Sequence, residues 1–209
     1  MPPPPAPPAR APALKTAAAK AAPLVVKGTA APAVVTKVLD GTLDGPMKSE
    51  TAVVFLDLAR FQIASRRIKD EVLVGLLEDY YERIADGLKP AGGRVVKFMG
   101  DGALVVFPVE RTSQAARALL MLKSAVDSHL AKKKFSGAVV ARLHVTDLMA
   151  GAIGPKGDKR YDVLGSGVNR TAAMRAGEGI GLSAEAYAKL DAKTQKLFVA
   201  KGDLFVPAP

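Results

Sequence analysis

Two aspartates stand where this chain could do chemistry. Asp101 lies between glycines in Gly100-Asp101-Gly102, and Asp57 ends the apolar run Ala52-Val-Val-Phe-Leu-Asp57. An acidic residue flanked by glycines suits a two-residue hairpin, where a positive φ is needed. The flanking runs Arg94–Phe98 and Ala103–Phe107 have the branched and aromatic content of strands. Each carboxylate is thereby placed at a strand end. Carboxylates at the ends of adjacent strands can converge on one divalent cation, a hard-oxygen arrangement that suits Mg²⁺ with a phosphate substrate.

The elements that must position this pair are legible in the hydrophobic pattern. Thr51–Leu58 is almost continuously apolar, as expected of a central strand covered on both faces. Leu73, Leu76, Tyr80, Ile84 and Leu88 recur at helical spacing and predict a helix from about Ile68 to Leu88, stopped by Pro90 and Gly92-Gly93. After the hairpin, Thr112 or Ser113 caps a second helix to about Lys132, burying Leu119, Leu122, Val126 and Leu130. Gly137–Thr146, Leu148–Ile153 and Arg160–Leu164 read as strands, the last two around a Gly154-Pro-Lys-Gly157 turn. Asn169–Arg175 reads as a short helix, and Ser183 caps another over Ala184–Leu190. Phe198–Val206 reads as a last strand interrupted at Gly202. Strand, helix, hairpin, helix, strand is the βαββαβ order of a ferredoxin-like α+β sandwich. His144, inside an apolar run, reads as a core or interface residue, and His129 as a helix-surface residue without a companion.

Composition separates residues 1–47 from a folded domain over 48–209. Nine of the fifteen prolines precede residue 40, in an Ala/Pro/Lys background. Such a segment buries too little apolar surface to offset its ordering entropy and is expected to be extended and mobile. Ala22-Pro-Leu-Val-Val and Ala31-Pro-Ala-Val-Val recur within it, read either as incidental or as docking motifs for a protein partner of residues 1–45. The net charge of +10 calls for anionic company or reflects only a basic tail. Aromatic residues make up 5% and no recognition motif is present, which argues against nucleic acid. The absence of cysteine excludes a disulfide framework and a thiolate metal site. No apolar run reaches the roughly 18 residues of a membrane span, and the proline-rich start is unlike a secretory signal, so a cytoplasmic protein is expected.

Three blocks occur in order: Phe55-Leu-Asp57-Leu-Ala-Arg-Phe61, Val96-Lys97-Phe98-Met-Gly-Asp101-Gly, and Tyr161-Asp162-Val-Leu-Gly-Ser-Gly-Val-Asn169. Together they resemble the catalytic domain of class III adenylate and guanylate cyclases, over roughly Thr51 to Phe205. The resemblance implies that family's fold, with sites formed between two domains about a two-fold axis. Asp57 and Asp101 match its metal-holding aspartates, with Leu58 beside them in the metal set, and the cofactors implied are Mg²⁺ or Mn²⁺. Lys97 and Asp162 match its base-reading pair. A lysine donating to the ring nitrogen and a carboxylate accepting from the exocyclic amine suit adenine, so ATP is the implied substrate. Asn169 matches the asparagine that orients the ribose and the reacting phosphate. Phe61 joins the substrate-binding set, and Lys201 matches the late phosphate-binding lysine. One chain carries both halves, so a homodimer would complete two sites.

Two departures bear on activity. The family arginine that stabilises charge on the α-phosphate falls four residues after the asparagine, at Ala173 here. Arg175 lies two residues further, about 200° around a continuous helix, and Arg170 directly follows Asn169. In the turn after Asp57, Arg60 and Gln62 replace a glycine and a small hydroxyl residue, so that Arg60 would either clash with the triphosphate or bind it. Two readings follow. One is an adenylate cyclase making cyclic AMP and pyrophosphate by a two-metal mechanism, as a homodimer or beside another cyclase-like chain. The other is a degenerate domain serving as a nucleotide-binding or scaffolding module, joined to an assembly by its N-terminal segment.

Overall fold

The computed structural model describes residues 46–209, and the two repeated Val-Val pieces lie outside the described residues. The first strand, β1 (Met47–Ala59), is the axis of the fold. Its side chains alternate as a strand requires: Ala52, Val54, Leu56 and Leu58 enter the main core, while Val53 and Phe55 face the other way. Asp57 continues the second row. A strand apolar on both faces belongs at the centre, and β1 pairs antiparallel with both β3 (Gly102–Pro108) and β4 (Ala138–Ile153).

β2 (Arg94–Met99) closes a hairpin with β3, giving the strand sequence β2-β3-β1-β4 across the sheet. That is the ferredoxin-like arrangement expected, in a sheet extended to eight strands among the described residues. β5 (Arg160–Leu164) pairs with β4, and β6 (Ile180–Leu182) continues the sheet to the hairpin of β7 (Phe198–Lys201) and β8 (Leu204–Pro207). Helices α2 (Asp70–Leu88) and α3 (Thr112–Lys132) cover one face. Leu76, Tyr80, Ile84 and Leu88, at every fourth residue, supply the buried stripe of α2. A five-residue helix α1 (Phe61–Ser65) links β1 to α2. Among the described residues no helix is long and apolar enough to cross a membrane.

Several boundaries differ from the sequence reading. The two strands expected on either side of Asp147 are one strand of 16 residues. Asp147 is tolerated there because it is exposed and its carboxylate lies 2.8 Å from Lys48 Nζ on β1. Helix α2 begins at Asp70, after an extended Lys69. Neither Thr112 nor Ser113 caps α3: the Thr112 hydroxyl donates to Val109 O, and Ser113 Oγ accepts from the Asp191 amide. Ser183 does cap α5 (Ala184–Ala188), accepting from the Ala186 amide. The last strand is a hairpin turning at Gly202, whose φ is +59°. Gly202-Asp203 repeats the chemistry of Gly100-Asp101, a signal already present in the sequence.

The opposite face of the sheet carries a smaller apolar cluster that includes Val53, Leu104, Val106, Leu148, Val163 and Val168. Helix α4 (Ser166–Ala173) lies on this face, against β4. A Cβ built on Gly167 would stand 2.0 Å from Thr146 Oγ1 on β4, so the helix can approach this closely only with glycine there. Gly167→Ala is therefore expected to cost about 1–3 kcal/mol by overpacking, read as a lowered midpoint in a thermal melt. An unchanged midpoint would show that α4 rises from the sheet at no cost.

Candidate functional site

The Asp57 and Asp101 carboxyls meet at the edge of the open face. β1 and β3 pair through Leu56 and Ala103, which sets Asp57 beside the β2–β3 turn. Gly100 alone takes the positive φ in that turn, at +62°, leaving Asp101 free to point at β1. The tip is pinned from α2: the Tyr81 hydroxyl donates to Gly100 O, and its ring stacks on Phe98 with centroids 4.1 Å apart. Asp101 is held above the usual carboxylate range, first by burial and then by the Asp57 carboxyl close enough to share a proton. The amides of Asp101 and Leu58 oppose this rise. Behind the pair, burial drives the Tyr80 hydroxyl far above its ordinary pKa, and the two carboxylates add to the effect. Two carboxylates forced together in a partly buried corner form a donor set that a divalent cation satisfies. The sequence-derived metal set fits on that ground. Leu58 can take part only through its backbone, since its side chain is buried in the main core.

Lys97 and Asp162 also meet. Lys97 Nζ lies 2.6 Å from Asp162 Oδ2, joining β2 to β5, and Asp162 Oδ1 accepts from the Val163 amide at 2.8 Å. A β-bulge between Val95 and Lys97 makes this possible. Val95 packs in the main core and Val96 in the open-face cluster, and Phe98 returns to the helix side against Tyr81. The extra residue lets Lys97 reach across to β5, a re-aiming that bulges commonly serve.

A third group surrounds a cavity of about 520 Å³ beside the end of α4, lined by Arg170, Ala173, Arg175, Lys201 and the Gly202-Asp203 turn. The helix stops at Ala173, and Met174 is extended with φ −61° and ψ 133°. Arg175 therefore does not continue around the helix, as the spacing alone predicted, but lines the same cavity as Ala173. Asn169 is exposed one turn earlier on α4; Gly165, not Asn169, occupies the N-cap position. Among the described residues Arg175 and Lys201 have no ion-pair partner, whereas Arg170 Nη1 lies 3.4 Å from Glu185 Oε1.

The adenylate and guanylate cyclase catalytic domain family matches residues 44–209. This chain belongs to that family. Solved structures agree in fold with the cyclase domain. A bacterial light-regulated adenylyl cyclase gives a TM-score of 0.71 at 20% identity, over 78% of this chain and 52% of that one. The chain thus spans about half the length of that protein. The adenylyl cyclase CyaB from P. aeruginosa gives 0.66 at 16% identity, over 77% of this chain and 93% of that one. The catalytic core of a rhodopsin-guanylyl cyclase with converted specificity, in complex with ATPalphaS, gives 0.63 at 19% identity, over 78% and 98%. At such identities the structural likeness carries the fold alone. A comparison with curated proteins gives no match.

Other residues of the cyclase domain take places that spacing did not reveal. Arg60 adopts a left-handed φ of +62°, where glycine would be unstrained, and is drawn off by Glu178 at 2.6 Å and Ser136 O at 3.2 Å. Its guanidinium is thus already paired with a carboxylate. The Phe61 ring packs into the main core against Phe135, so only its backbone faces the turn after Asp57. His129 has companions after all, Asp79 at 3.2 Å and Arg83 at 3.0 Å on α2. His144 is buried, as expected, and Nδ1 lies 2.8 Å from Ser183 Oγ; burial lowers its pKa, against the Glu185 carboxylate. Arg142, which the motifs did not single out, comes within 3.6 Å of Asp57.

Proposed function

We propose that this domain is an adenylate cyclase, converting ATP to cyclic AMP and pyrophosphate at sites completed between two copies of the chain. The observation that carries this reading is the preformed Lys97–Asp162 pair on the sheet that also holds the Asp57–Asp101 corner. Lys97 offers a donor to the adenine ring nitrogen and Asp162 an acceptor for the exocyclic amine. The base would replace their mutual bond with two bonds of the same polarity. Asp57, Asp101 and the Leu58 backbone would hold Mg²⁺ or Mn²⁺, which supplies Lewis-acid activation of the ribose 3′-hydroxyl and neutralisation of the leaving pyrophosphate. Asn169 aligns the ribose from α4, while Arg175 and Lys201 face the phosphates across the neighbouring cavity. The two halves lie in one chain, so two copies in a symmetric dimer would form two equal sites.

A second reading, a nucleotide-binding module without turnover, is favoured by one feature: Ala173 puts no cation at the position that the family resemblance assigns to an arginine. The test is cyclic AMP formation by the purified full-length protein with Mn²⁺ and ATP, with GTP and an Asp57→Ala variant alongside. Product from ATP that disappears in the variant supports the enzyme. ATP binding with no product, at concentrations where the dimer is confirmed, would establish the module instead.

A further inference from the structure

The carboxylate corner has a resident cation. Arg142 sits mid-way along β4, paired in register with Phe55, and Val140 is the partner of Asp57 on the same face. The Arg142 side chain is 18% exposed, and its Nη2 lies 3.6 Å from Asp57 Oδ2. Its Nε donates to Met174 O at 2.7 Å, the carbonyl of the residue that ends α4. We propose that Arg142 is a built-in counter-cation of the Asp57–Asp101 pair, limiting the nucleotide-free site to one firmly held divalent ion. This rests on the metal reading of that pair.

Three features support the assignment. At 3.6 Å the guanidinium is near enough to act through its charge but too far for a hydrogen bond, so Asp57 keeps its lone pairs for a metal. The bond to Met174 O anchors the guanidinium beside the corner. No group of three or more Asp, Glu, His or Cys side chains is poised for a metal among the described residues. When both carboxyls are ionised, the fixed positive charge leaves the corner a net charge of about −1, enough to attract one divalent ion. A second must bring its own anions, which the phosphates of the substrate provide. Arg142 also joins the metal corner to the end of α4, where Ala173, Met174 and Arg175 line the neighbouring cavity.

The experiment counts Mn²⁺ on the full-length, nucleotide-free protein by the electron paramagnetic resonance signal of the free ion, with calorimetry for affinity. The wild type is expected to bind one Mn²⁺ per chain. Arg142→Ala and Arg142→Gln are expected to bind it about tenfold more tightly and to take up a second ion, the scale of effect expected from removing a charge a few ångströms away. Arg142→Lys, which keeps the charge, should stay near the wild type. Folding is checked by thermal melts, and the glutamine variant keeps a donor beside Met174 O if the alanine variant unfolds. Wild-type affinity and stoichiometry in both neutral variants would overturn the role of Arg142 and leave the metal pair standing. Absence of Mn²⁺ binding in every form, with or without ATP, would overturn the metal reading and this proposal together.

Discussion

Asp101→Asn is expected to make the metal-free protein more stable while abolishing cyclic AMP formation. The carboxyl of Asp101 is held above its usual range by burial and by Asp57. A group whose folded pKa exceeds its unfolded value binds protons more readily in the fold. Its ionisation therefore costs stability: the cost is absent below the unfolded value, grows as pH rises toward the folded value, and is complete above it. Asparagine keeps the shape and an acceptor for the Leu58 amide and removes the like charge. The melting midpoint of the metal-free variant at pH 7 should exceed that of the wild type, and the gap should close as the pH is lowered toward 4. Mn²⁺ should then raise the midpoint of the wild type, by mass action on the folded state, and leave that of the variant unchanged. Turnover should fall by at least about 10³-fold, because in the proposed reaction the metal would supply both nucleophile activation and charge neutralisation. A variant less stable than the wild type without metal would mean that the two carboxyls do not repel each other.

Arg175→Ala is expected to lower the turnover number by about 10²–10³-fold with a much smaller change in KM, the effect of removing one donor that serves the transition state. Helix α4 ends at Ala173, so the chain leaves the helix and Arg175 enters the cavity beside that residue. Arg170 lines the same cavity but is engaged with Glu185, so Arg170→Ala should cost far less. Placing the cation back on the helix, by Ala173→Arg in the Arg175→Ala background, should recover part of the rate. Steady-state kinetics with Mn²⁺ and ATP decide the matter. Equal rates for the wild type and Arg175→Ala would show that this arginine does not replace the missing one.

What the sequence determined by itself was whatever depends on neighbours along the chain. The four-residue stripe of Leu76, Tyr80, Ile84 and Leu88 makes an amphipathic helix wherever it is placed. Gly100-Asp101 turns tightly because only the glycine needs a left-handed φ. The doubly apolar β1 had to be central, with Asp57 at the end of its apolar run. From these followed the fold and the two carboxylates. The tertiary structure decided what depends on residues far apart in sequence. Arg60 could be read as clashing with a triphosphate or binding it, and its pairing with Glu178, 118 residues away, has no local signal. Lys97 reaches Asp162, 65 residues away, through a bulge that no local pattern marks. Arg142 gave no signal in β4, because its significance is its distance from Asp57 on a neighbouring strand. Arg175 seemed misdirected only while α4 was assumed to continue through it. Local periodicity is written in the chain at short range, whereas the electrostatic partners of a charged side chain are chosen by the packing of the whole sheet.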